Sequence, residues 1–179
     1  KSIVKFVKTN LNDAYVIEIE KNEDERGFFA RTFDEKSFLE LNLEINLFQN
    51  NISFNKKSKT LRGMHYQKFP NEEVKIVRCT KGKIFDVIID LRSNSSSYRK
   101  WFGIELTSDN HKIVYVPKGF AHGFLTLEDE SEIFYQMSDC FAPDSALGIH
   151  WNDPSIGIKW PFSPSIISDR DNSYSHVIP

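Results

Sequence analysis

The chain predicts an all-β fold, two layers of antiparallel strands forming a sandwich or jelly roll, with one or two short helices. Three observations carry this. Short β-like runs follow one another closely from residue 74 to residue 138, each bounded by turn residues. Almost no helical periodicity lies between them, and sequential parallel strands would need crossover helices. The 179 residues suffice for one sizeable core and are few for two, so a single domain over 1–179 is expected.

The elements follow in order. Residues 14–20 (AYVIEIE) alternate apolar and polar like a half-buried strand, and the charged run at 21–27 ends it at Gly27. Residues 28–33 (FFARTF) resume β character. Asp34 then offers an N-cap to a short helix whose apolar side is marked by Phe38, Leu39 and Leu41. Residues 47–54 read as a strand, and NKKSK at 55–59 as the turn into the octet TLRGMHYQ at 60–67. Six runs follow, over 74–79, 83–91, 101–106, 112–116, 122–127 and 131–138, separated by turns such as Lys81-Gly82, SNSSS at 93–97 and Pro117-Lys118-Gly119. From Pro143 the recurrence of Asp, Asn, Gly and Pro predicts an irregular tail wrapping the outside. The segment at 14–20 is also a candidate to pair across a sheet edge.

Composition excludes several classes of function. Twenty-three Lys and Arg are balanced by 25 Asp and Glu with no long basic run, so no nucleic-acid partner is expected. Cys79 and Cys140 stand alone without CxxC spacing, which suggests neither a disulfide framework nor a zinc knuckle. No apolar run approaches a membrane span, and KSIVKF at 1–6 lacks the apolar core of a signal peptide. The expected compartment is the cytoplasm, with no membrane partner.

The octet at 60–67 is the centre of interest. In a regular strand Arg62 and His65, three apart, point to opposite faces, but a bulge at Gly63 would shift the alternation and aim both into one cavity. His65 by itself reads equally as a hydrogen-bonded core histidine. The run VPKGFAHGF at 116–124 has PxGxxH spacing, a rigid turn that places His122 near the interior of a double-layered barrel. A metal site would need about three histidines and a carboxylate, and Tyr66-Gln67 stands where an HxH pair would be required, so no metal is expected. Tyr135 shares a face with Ile133 and Met137. The plain reading is a core aromatic, the sharper one a general acid. Lys75 and Arg78 alternate to opposite faces, and Asp86, within an apolar strand, needs a partner, for which Lys75 is the functional candidate. Arg26 and Arg62 are candidates for phosphate, which a guanidinium matches bidentately.

Taken together, EDERGFF at 23–29, FQNN at 48–51, LRGMHYQ at 61–67, KIVRC at 75–79, GKIFDV at 82–87, PKGFAHGF at 117–124 and WNDP at 151–154 closely resemble the dTDP-4-dehydrorhamnose 3,5-epimerase family. The resemblance extends over nearly the whole chain in register. It implies a cupin-type double-stranded β-helix, a homodimer, no cofactor, and a nucleoside-diphospho-4-keto sugar as substrate, in the synthesis of surface-polysaccharide precursors. Carried over by motif, His65 is the base, Tyr135 the acid, Asp171 the carboxylate that pairs with the base, and Lys75 the cation near the developing oxyanion. Arg62 and Arg26 would hold the diphosphate, with Gln49 and Asn51 lining the nucleotide site. Phe29, Arg31, His122 and Phe141 complete the substrate-binding set.

Two positions depart from the family pattern. Arg31 stands where Glu is common, and Cys140-Phe141 where a Tyr-Tyr pair is usual. Both belong to the nucleotide end of the pocket, so the resemblance leaves open a dTDP- or GDP-linked sugar, a hexose or a heptose, and inversion at C3, C5 or both. A sugar-nucleotide 3,4-ketoisomerase and a non-catalytic sugar-binding cupin are the alternatives.

Overall fold

Strands that alternate apolar and polar residues have one face to bury, and two sheets stacked face to face bury it. The computed structural model describes residues 4–177, so the first three residues of the N-terminal stretch and the last two of the chain lie outside it. In chain order the elements begin with β1 (Val4–Lys8), β2 (Tyr15–Ile19), β3 (Asn22–Asp24), β4 (Gly27–Phe29), α1 (Glu35–Glu40), β5 (Gln49–Asn55) and β6 (Thr60–Gln67). They continue with β7 (Lys75–Lys81), β8 (Lys83–Asp90), β9 (Trp101–Thr107), β10 (Ile113–Val116), β11 (Phe120–Thr126) and β12 (Ser131–Met137). After a 3₁₀ turn at Pro143–Ser145 come β13 (Ala146–Gly148), β14 (Ile166–Ile167) and α2 (Asp169–Asn172).

The first sheet runs β1-β2-β10-β7-β12-β5 and the second β13-β6-β11-β8-β9. Both are antiparallel throughout, except that β14 joins β6 in parallel. Val77, Val114 and Ile133 of the first sheet meet Ile84, Ile88, Leu106 and Phe124 of the second in the central core. The outer face of the first sheet, with Ile17, Ile76 and Ile113, is covered by Phe38 of α1 and by Leu43. On the outer face of the second, Met64, Val87 and Ile89 are covered by Ile149, Ile156 and Trp160 of the tail, which does wrap the outside. The serine-rich turn is fastened by Asp90, whose carboxylate accepts from Arg92, Ser95 and Ser97. Burial pushes that carboxyl up, but the donors outweigh it and hold it at about 2.

Several local expectations are corrected. The helix is N-capped as read, Asp34 Oδ2 accepting from the Ser37 amide at 3.0 Å. It is only six residues long, however, and fewer than two turns present one residue to the sheet, so Phe38 is fully buried while Leu39 is 51 % exposed. The expected strand at 28–33 shrinks to β4, which forms a separate two-stranded hairpin with β3. The segment at 14–20 is no edge, because β2 lies between β1 and β10 and the edge strand is β1.

Candidate active site

The antiparallel register of β6 and β11 supplies the geometry. His65 lies opposite His122 and Arg62 opposite Phe124, so three steps along β6 match two along β11. The extra residue is taken up at Gly63, whose φ of +130° suits glycine. A Cβ built on it would lie 2.6 Å from the Cα of Gly123. The bulge therefore turns Arg62 and His65 to one face, as the glycine between them suggested.

Asp171, brought in by α2, completes this wall. His65 Nε2–H donates to Asp171 Oδ1 at 2.7 Å, and the Gly63 amide donates to Oδ2 at 3.0 Å. Burial raises the Asp171 carboxyl, but the His65 hydrogen bond and charge, with the Gly63 amide, outweigh it and hold it below the usual carboxylate range. The carboxylate thus fixes the tautomer. With Nε2–H engaged, the lone pair of His65 is on Nδ1.

The facing wall comes from β5, β7 and β12, where Lys75 pairs in register with Met137, Val77 with Tyr135, and Tyr135 with Asn51. Burial pushes the Tyr135 phenol above its ordinary value, so at neutral pH it is a proton donor. Lys75 is almost fully buried and forms an ion pair with the equally buried Glu73 at 3.1 Å. The expected pairing of Lys75 with Asp86 is not formed. Asp86 Oδ1 instead accepts from Nε2 of His122 at 2.7 Å, because both stand on the inner faces of the neighbouring strands β8 and β11.

Two hollows of about 130 and 330 Å³ lie between the walls and a third of about 450 Å³ lies beside them against β5 and β12, and Tyr135 lines all three. The second and third are of the order that suits a small-molecule ligand. His65, Lys75 and Tyr135 line the first two, and Arg62 and His122 line the second. Gln49, Asn51 and Phe141 line the third, where Gln49 Oε1 accepts from the Phe141 amide at 2.9 Å. Three expected residues stand elsewhere. Arg26, Phe29 and Arg31 belong to the β3–β4 hairpin and the segment after it, outside the lining of these hollows. Arg26 is paired with Asp24, Arg31 with Asp34, and the Phe29 ring is 66 % exposed.

Two charged lining residues escaped the sequence reading. Glu73 could have been found from its charge two residues before Lys75. Arg170, which lines the first hollow, sits in a tail with no periodicity to orient it. Gln67, at the position where a second histidine would make a metal motif, has its amide engaged by Asn71, Cys140 and Ala142.

The family model of dTDP-4-dehydrorhamnose 3,5-epimerase matches residues 8–177. The chain belongs to the dTDP-4-dehydrorhamnose 3,5-epimerase family. The dTDP-4-dehydrorhamnose 3,5-epimerase of Methanothermobacter thermautotrophicus is 42 % identical over 173 residues, 95 % of this chain and 92 % of that protein. The crystal structure of the Bacillus anthracis str. Ames enzyme, with TDP and PPi bound, matches with a TM-score of 0.93 at 36 % identity, over 98 % of this chain and 100 % of that one. The Legionella pneumophila dTDP-6-deoxy-D-glucose-3,5-epimerase, in complex with dTDP-4-keto-L-rhamnose, gives 0.90 at 32 % identity over 97 % and 93 %. Like them, this dTDP-4-dehydrorhamnose 3,5-epimerase family member is a carbohydrate epimerase of the isomerase class with a cupin jelly-roll fold, as the motifs implied.

Proposed function

We propose that this epimerase inverts C3 and C5 of a dTDP-linked 4-keto-6-deoxyhexose by proton transfer between His65 and Tyr135. The observation that supports the reading is one cleft lined by both a histidine backed by a carboxylate and a protonated phenol. A C4 ketone acidifies the hydrogens on C3 and C5. His65 Nδ1 takes one of these protons, the C–H electron pair moves into the enolate with its charge on O4, and Asp171 stabilises the imidazolium. Lys75 lies in the same cleft as a fixed cation for the O4 charge, which develops only on the way to the enolate. Tyr135 returns a proton to the opposite face of the carbon, and solvent then restores both groups. The substrate is neither oxidised nor reduced overall, so the step calls for no redox cofactor.

Arg62 serves the diphosphate, and Gln49, Asn51 and Phe141 the nucleotide, with His122 beside the sugar. The TDP and dTDP-sugar ligands of the Bacillus and Legionella relatives favour dTDP over GDP. We read the chain as one catalytic domain working as a homodimer. Edge strand β5 leaves Ile52 65 % exposed, with Phe54 beside it at the rim of the second hollow, an apolar strip that a second copy would cover. No helix among the described residues is long and apolar enough to cross a membrane, and we place the enzyme in the cytoplasm.

The test is incubation with a dTDP-4-keto-6-deoxyhexose in D₂O. Deuterium is expected at C3 and C5, His65→Ala should abolish exchange, and Tyr135→Phe should retain proton abstraction at roughly 10²-fold lower turnover. A product whose ketone has left C4 would indicate a ketoisomerase, and binding without exchange a silent sugar-binding protein.

A further inference from the structure

Gly148 lies directly across the β13–β6 pair from His65, so a side chain there would be the cross-strand neighbour of the base. Glycine leaves that place vacant, and a ring from the C-terminal tail takes it. A Cβ built on Gly148 would overlap the Cε2, Cζ and Cδ2 atoms of Tyr174. The same ring meets the His65 imidazole edge-on, with centroids 5.9 Å apart and planes at 78°. Tyr174 follows Asp171 by three residues, so one short stretch of chain delivers both the carboxylate that engages Nε2 and the ring that abuts the imidazole. The Tyr174 hydroxyl is buried and meets no hydrogen-bond partner among the described residues. The ring's shape, not its hydroxyl, is therefore what the site uses. The tail around it is tied down on both sides, by the Trp151 indole N–H donating to Asn172 Oδ1 and by the His150 amide donating to the Ser175 carbonyl.

We propose that Tyr174 is a positioning residue for His65. With Gly148 it forms a socket that stops the imidazole turning about its own axis, so that Nε2–H stays on Asp171 while Nδ1 stays on the substrate. The proposal rests on His65 being the base. Small misplacements of a reacting group can cost about 10²-fold in rate, which sets the scale of the effect.

The experiment compares Tyr174→Ala, Tyr174→Leu, Tyr174→Phe and Gly148→Ala in the full chain, by kcat, KM, the pH profile of kcat/KM, and melting temperature. Tyr174→Ala and Tyr174→Leu should lower kcat about 10- to 100-fold with KM within about twofold, and should shift the acid limb of the profile. Tyr174→Phe should rescue turnover, with a melting temperature no lower than that of the wild type, since it deletes only an unpaired hydroxyl. Gly148→Ala should behave like Tyr174→Ala, because the added methyl expels the ring. A folded Tyr174→Leu or Gly148→Ala variant with kcat and pH profile unchanged would overturn the proposal, as would a Phe variant as impaired as the Ala one. His65→Ala is run alongside. Exchange persisting in it would sink the base assignment itself, whereas a dead His65→Ala beside a normal Tyr174→Leu sinks only the socket.

Discussion

Asp171 shows how much one residue does here. It accepts from the Gly63 amide at the bulge and from the Nε2–H of His65, so under the proposed mechanism it serves the backbone and the base together. Replacing it with Asn keeps the shape and removes the charge that, in the proposed mechanism, stabilises the imidazolium. Asp171→Asn is expected to lower kcat on the order of 10³-fold with a small change in KM, as measured by steady-state kinetics. Its folded pKa is depressed, so the charge contributes stability that is present above the unfolded carboxyl value and is lost as pH falls through the folded one. Denaturant titrations of the wild type should therefore show a loss of stability towards acid that is smaller in the Asn variant. At this scale the sequence was partly legible. The pairing of Asp171 with His65 came from the motif resemblance, since no periodicity links residues 106 apart. Asp86 could be recognised as a buried carboxylate needing a partner, but strand adjacency, which decides between Lys75 and His122, is not written in the local pattern. Tyr174 gave no signal, because its role depends on a glycine 26 positions earlier.

Among the elements, β6 carries the site because it breaks its own alternation. Two features forbid a side chain at position 63, the φ of +130° and the approach of Gly123, and they add. Gly63→Ala should destabilise the fold by about 3 kcal/mol or more. That corresponds to roughly a 6–12 °C lower melting temperature for a chain of this size. It should also abolish exchange, since restoring regular alternation would swing His65 away from Asp171. A variant melting normally with intact exchange would mean that the bulge does not set the site. The bulge was legible because a glycine between two chemically active residues three apart has few other uses in a strand. The extents of 28–33 and of the α1 apolar side were not. Both are short, and in so few residues tertiary packing overrides the pattern.

At the scale of the whole molecule, the alternation and turn spacing were enough for two antiparallel layers, because each strand signals its own buried face. What no single-chain pattern conveys is where the β3–β4 hairpin goes. Motif resemblance puts Arg26, Phe29 and Arg31 on the substrate, yet in one chain they lie outside the cleft, with the Phe29 ring and the Arg26 guanidinium turned to solvent. A two-fold dimer would reconcile these facts by offering each hairpin to the other copy's cleft across the open β5 edge. The prediction is intersubunit complementation. In a dimer of one His65→Ala chain and one Arg26→Ala chain, the cleft with intact His65 receives intact Arg26 only if the hairpin acts in trans. Mixing and exchanging the two impaired proteins in equal amounts should then restore about one quarter of the wild-type rate, because half the dimers are mixed and each has one complete site. If Arg26 served its own chain, every cleft would lack one of the two groups, and the mixture would be no more active than the Arg26→Ala protein it contains.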